Sequence, residues 1–167
     1  MRHARGQPSA RRRAGLVGPR GYGHGMYRKI QIVFDCADPA AMMAFWGPAL
    51  GYAPEPPPPG YASWAEFAAD RDIPRSEWRG AVLDPAREGP RLFFQTVPEP
   101  KTVKNRVHLD IGVTPGPEWT MEERRGPVAA KVSELVALGA TEVETIEEGG
   151  GMFTVMQDPE GNEFCVH

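Results

Sequence analysis

Cysteine is scarce in this chain, with only Cys36 and Cys165 among 167 residues. Two thiols cannot build the disulfide framework of a small secreted domain, so a reducing, cytoplasmic location is expected. No apolar run approaches the roughly 18 residues of a membrane span, which excludes a transmembrane reading. Also missing are a Gly-rich phosphate loop, a nucleophile elbow, a Cys-x-x-Cys pair and a His-Glu-x-x-His helix. Acidic residues are absent from positions 1–25, which hold six arginines; removing these from the 19 basic residues leaves 13 against 22 acidic ones. That acidic remainder would repel a phosphate backbone, so nucleic-acid binding is not expected. What is present, 41% hydrophobic and 25% charged residues, is the composition of a soluble globular domain.

The Arg-, Gly- and Pro-rich segment 1–25 has no apolar periodicity and is expected to be a disordered tail, with Met26 an equally readable start. A domain over 26–167 follows, divided into module one at 27–97, a linker at 98–104 and module two at 105–167. Arg28 to Cys36 reads as a strand with Ile30, Ile32, Phe34 and Cys36 on one face. Asp38-Pro39 caps a helix carrying Met42, Phe45, Trp46, Ala49 and Leu50, closed by Gly51 and kinked or shortened by Pro48. Strands are predicted at Tyr61 to Phe67, Gly80 to Leu83 and Arg91 to Val97.

The order then repeats. A strand at Arg106 to Val113 precedes a short helix capped by Thr120 and Glu123, then a second restarted by Gly126-Pro127 with a stripe of Val128, Val132, Leu135 and Val136. Strands at Glu142 to Ile146, Met152 to Gln157 and Glu163 to Val166 complete it. Both halves place Leu-Gly after the helix and Asp-Pro before the last strand, at Asp84-Pro85 and Asp158-Pro159. The predicted fold is therefore α+β: two tandem β-α-β-β-β modules whose curved mixed sheet surrounds a central cavity.

Strand alternation sends one set of side chains to the helix and the other to the opposite face. On that opposite face fall Gln31, Asp35, Gln95, His108, Asp110, Glu163 and Cys165, a polar set suited to a ligand site. His108 is the histidine inside a predicted element and is capable of proton transfer or metal ligation. Lys101, Lys104 and Arg106 crowd the linker beside it.

These modules, the stretch Val107-His108-Leu109-Asp110 and the closing Asp158-Pro159-Glu160-Gly161-Asn162 resemble the vicinal oxygen chelate superfamily, which includes glyoxalase I, bleomycin-resistance proteins and extradiol dioxygenases. The run Arg91 to Gln95, followed by His108-Leu109-Asp110 and Glu122-Glu123-Arg124, is similar to bacterial glyoxalase-like domain proteins. The resemblance implies four ligand positions for a divalent metal, at Gln31, Gln95, His108 and Cys165. Two carboxylates of the family are replaced there, by Gln95 and Cys165, so no tightly bound cofactor is expected and any divalent metal is weak. The implied function is binding of a small molecule between the modules, as a lyase or isomerase acting on a carbonyl or thiol adduct through His108, Asp110 or Glu163. The other reading is non-catalytic sequestration of a metabolite or antibiotic, with Trp64, Phe93 and Met152 as cavity lining. Homodimers are common in such proteins, which leaves a homodimer open here.

Overall fold

The computed structural model describes residues 29–116 and 118–167; the tail and Met26 lie outside them. Strand β1 spans Gln31–Cys36, and its alternation holds: Ile32, Phe34 and Cys36 turn inward while Gln31, Val33 and Asp35 are exposed. Ile30 stands before the strand and is exposed, not part of the inward row. Helix α1 covers Pro39–Leu50; Asp38 accepts hydrogen bonds from the N–H groups of Ala40 and Ala41, and Gly51 closes it at φ 70°. The helix runs through Pro48 to Leu50 and is not shortened there.

The expected strand at Tyr61 to Phe67 is instead helix α2, Trp64–Asp70. Ser63 accepts from the Glu66 N–H while the Glu66 carboxylate accepts from the Ala62 N–H, and this reciprocal capping outweighs the strand preference of the aromatic residues. The strand position is taken by the short β2, Ala53–Pro54, and a 3-10 turn at Arg75–Glu77 leads into β3, Arg79–Leu83. Strand β4, Arg91–Thr96, runs parallel to β1 and antiparallel to β3, giving the order β1-β4-β3-β2.

The second half repeats this topology as β5-β8-β7-β6. Strand β5 is confined to Asp110–Ile111, shorter than expected, although flanking backbone bonds from Cys165 N–H to Leu109 and from Val113 N–H to His167 continue the parallel pairing with β8. One helix, α3 at Met121–Ala137, replaces the two predicted. Its Thr120/Glu123 capping box forms, and Gly126-Pro127 is carried inside it. Val128, Val132 and Leu135 are buried, but Val136 is half-exposed and off the stripe. Strands β6, Thr141–Glu148, and β7, Gly151–Gln157, join through Gly149 and Gly150, both at positive φ as a tight two-residue hairpin requires. Strand β8 is Glu163–Val166.

Both sheets turn their inward rows into one continuous core. Phe45 and Trp46 of α1 pack edge-on against Phe164 of β8, with ring centroids 5.9 and 5.2 Å apart. Helix α1 lies on its own sheet and reaches the second half through these rings, so the two halves cannot separate without exposing fully buried aromatic surface. Among the described residues no helix is long and apolar enough to cross a membrane.

Candidate functional site

The face of each sheet away from the helices carries six of the seven predicted polar residues, and His108 stands two residues ahead of Asp110, before β5 begins. Gln31, Asp35, His108 and Asp110 are exposed, while Gln95, Glu163 and Cys165 are half-buried. Register decides which of them meet. In the first sheet Gln31 pairs with Arg91, Val33 with Phe93 and Asp35 with Gln95; in the second, Asp110 pairs with Cys165. Gln31 and Gln95 are therefore four residues apart along the ladder and do not face a common point.

The Asp-Pro loops give the correspondence between halves. Asp84 accepts from the N–H groups of Ala86, Glu88 and Gly89; Asp158 accepts from those of Glu160 and Asn162 and from the Asn162 amide. Two residues before each aspartate, Val82 pairs with Leu92 and Met156 with Phe164. Phe93 is thus the first-half counterpart of Cys165, Val33 of Asp110, and Gln31 of His108. Gln95 lies one alternation beyond, where its amide donates to Asp35 at 2.7 Å.

With Phe93 at that position, the donors available to a metal reduce to Gln31, His108 and Cys165. Arg91 donates to the Gln31 carbonyl oxygen, placing a cation on the atom a metal would need. Burial and the charge of Asp110 push the Cys165 thiol up, so it gives up its proton reluctantly. Among the described residues no group of three or more His, Cys, Asp and Glu side chains could hold a metal ion. The residues do not fit a divalent metal.

The proton-transfer candidates are similarly constrained. Glu163 accepts from the Asn105 N–H at 3.0 Å and pairs with Lys101 at 3.0 Å, and these donors hold its carboxyl at about 2. A carboxylate so held is a poor base near neutral pH. His108 is exposed, with Nε2 3.2 Å from the Asn105 carbonyl oxygen. Arg91, missed in the sequence, is half-buried between Glu55, Gln31 and the Phe93 ring, its guanidinium 4.8 Å from the ring centroid. The alternation that singled out Gln31 and Gln95 places Arg91 on the same face, a signal that was available.

A cavity of about 210 Å³ opens at the seam between the sheets, lined by Val33, Asp35, Trp46, Asn105, Val107 and Glu163 among others. The expected lining does not assemble: Phe93 is on the open face, Met152 is buried in the core, and Trp64 borders a different cavity beside α1. Across the seam Glu160 accepts from the Ala37 and Asp38 N–H groups, and the Trp46 indole donates to Asp158 at 3.2 Å. Burial pushes the Asp158 carboxyl up, while its hydrogen bonds oppose the shift.

The sequence profile of the glyoxalase-like domain matches residues 31–167. A search of curated proteins finds no match. Among solved structures, the chain is similar to a glyoxalase/bleomycin resistance protein/dioxygenase family enzyme from Burkholderia phytofirmans PsJN, at 18% identity and a TM-score of 0.53 over 81% of this chain and 94% of that one. The fosfomycin resistance protein FosX from Listeria monocytogenes, solved as a variant with manganese(II) and 1S,2S-dihydroxypropylphosphonic acid, is 14% identical with a TM-score of 0.53 over 85% and 90% of the two chains. A glyoxalase-related enzyme from Fulvimarina pelagi gives 16% identity and a TM-score of 0.50 over 84% and 87%. At such identities the likeness is one of fold, that of the vicinal oxygen chelate proteins. Together with the profile match across nearly all of the described residues, it shows that the chain belongs to the glyoxalase-like domain family.

Proposed function

We propose that the protein binds a small molecule with an apolar body and an amine or other cationic group on the open strand face, and holds it without converting it. One observation carries this reading. Of the carboxylates on or beside that face, Glu55 is paired with Arg91 and Glu163 with Lys101, whereas Asp35 and Asp110 have no ion-pair partner among the described residues. They flank the Val33–Phe93 and Cys165 positions, one on each sheet. Unpaired acids beside apolar side chains favour a cation. The phosphonate held by the Listeria protein with its manganese is a poor match to two carboxylates without ion-pair partners. Holding is favoured over lyase or isomerase chemistry because Glu163 is locked as an ionised acceptor and the Cys165 thiol is kept protonated.

Thermal unfolding with bleomycin or tryptamine, and with fosfomycin as the anionic control, tests the proposal. A ligand at a hundred times its Kd adds about 2.7 kcal/mol, a Tm rise of about 8 °C for a domain of this size. The cations should give such a rise, weakened by Asp35→Asn and Asp110→Asn. Stabilisation by fosfomycin alone, or cation binding indifferent to both substitutions, would overturn it.

A further inference from the structure

Strand β1 is an outer strand: among the described residues its one hydrogen-bonded neighbour is β4. In a parallel pair the N–H and C=O of one residue point to the neighbour and those of the next residue point away from it. The Cys36 carbonyl accepts from the Val97 N–H, so Ile32, Phe34 and Cys36 turn their backbone groups to β4, and Val33, Asp35 and Ala37 turn theirs outward. Ala37 shows where that outward row points. Its N–H is answered by the Glu160 carboxylate of the second half, across the seam. Val33 and Asp35, earlier in the row, have no backbone partner on that side among the described residues.

The 210 Å³ seam cavity runs along this row. Four successive residues, Ile32 to Asp35, line it, and side chains of both alternations meet one cavity only at the edge of a strand. Asn105, Val107 and Leu109 line it as well. Free N–H and C=O groups on an outer strand are a template for an extended chain. The volume lies below the range of drug-sized pockets, so the slot suits one or two residues and not a partner's strand. A residue laid antiparallel to β1 exchanges both backbone bonds with the residue opposite, and its N-terminal side then runs toward the C-terminal end of β1. Opposite Val33, that direction leads to Asp35, the carboxylate without an ion-pair partner.

We infer that the seam edge of β1 binds the N-terminal end of a short peptide or an aminoacyl amide, whose second residue exchanges N–H and C=O bonds with Val33 while its terminal ammonium meets Asp35. The inference rests on the reading of this site as one that holds a cation, and it names the class of cation.

Alanylvalinamide is the probe. Its controls are the ester-linked analogue, which lacks the peptide N–H, and the N-acetyl derivative, which lacks the ammonium. The probe should bind saturably in a titration followed by backbone amide resonances. The Val33 N–H should exchange rapidly with solvent in the free protein and become protected in the complex, while the Phe34 N–H, bonded to β4, is protected in both. The ester analogue should bind about five-fold more weakly, and N-acetylation or Asp35→Asn should each weaken binding about ten-fold. Val33→Pro removes an N–H that β4 does not use, so the outer strand should survive and binding should be lost. Should that variant fail to fold by circular dichroism, the ester analogue and the exchange of Val33 still decide. No saturable binding, an unprotected Val33 N–H in the complex, or equal affinity for amide and ester would overturn the inference; a Tm rise with tryptamine, weakened by Asp35→Asn, would then leave the cation site standing without the peptide. Binding that senses the ester but neither N-acetylation nor Asp35→Asn would instead overturn the cation reading on which the inference rests.

Discussion

Replacing Asp158 by alanine should cost far more than replacing its counterpart Asp84, and the difference measures how the two halves are held together. Asp158 is buried and accepts from the Glu160 and Asn162 N–H groups, the Asn162 amide and the Trp46 indole. In Asp158→Ala the loop donors are partly exposed and can turn to water, but the Trp46 side chain is sealed in the core and its N–H cannot. An abandoned buried donor costs about 1–3 kcal/mol, and the lost bonds to a charged loop acceptor add about 1–2. The expected loss is thus about 2–5 kcal/mol out of a total of roughly 5–15. Asp84 binds only its own loop, whose donors are exposed and can turn to water, so Asp84→Ala should cost much less. Urea unfolding followed by tryptophan fluorescence reads both, as a lower midpoint at unchanged slope. Adding Trp46→Phe to Asp158→Ala should recover part of the hydrogen-bond loss in a double-mutant cycle. Equal costs at Asp84 and Asp158, or no coupling to Trp46, would refute the view that this carboxylate locks the halves.

Glu163, held at about 2 against an ordinary value of 4.5, contributes stability that is present above pH 4.5 and lost as the pH falls toward 2. Glu163→Gln should therefore cost about 1–2 kcal/mol at pH 7, allowing for solvent screening of a pair near the surface, and much less at pH 2.5 in paired denaturation curves. Cys36 is buried and its thiol is pushed up to about 12 by burial and neighbouring carboxylates, and Cys165 is also raised. Both should resist a thiol-specific reagent at pH 8 in the native protein and react after unfolding; rapid native labelling of Cys36 would contradict the packing. Phe93→Glu with Cys165→Glu should raise nickel or zinc affinity measured by calorimetry, whereas Gln95→Glu with Cys165→Glu should not, because Gln95 is off the rung that Gln31 and His108 define.

The fold was largely legible because its strongest signals are local. Asp38-Pro39, the Thr120/Glu123 box and the alternation of β1, β4 and β8 each act within a few residues, and each forms as read. The failures occur where two local signals compete. Tyr61, Trp64 and Phe67 have strand propensity, yet Ser63 and Glu66 satisfy the backbone donors that would otherwise be orphaned, and a short helix wins. Gly126-Pro127 is a breaker by composition, but Arg124 and Val128 on either side are both buried, and that packing carries the helix through the pair.

The site was legible by face and not by rung, and the arithmetic of the loops shows why. From Asp84 to Phe93 is two residues more than from Asp158 to Cys165, because the first Asp-Pro loop is longer. An insertion of two leaves strand parity intact, so the polar residues of the strands still fall on the correct face. It also shifts the position along the ladder by one alternation, and no periodicity in the sequence records that. Gln95 is on the right face for a ligand but stands beside Asp35, and Phe93 occupies the place where the second half has Cys165. The consequence is chemical: an aromatic ring and a protonated thiol stand at the two equivalent positions, and Arg91 is drawn over the ring to Gln31 and Glu55. An open face arranged this way is suited to stacking and hydrogen bonding with an organic ligand, and unsuited to gripping a metal.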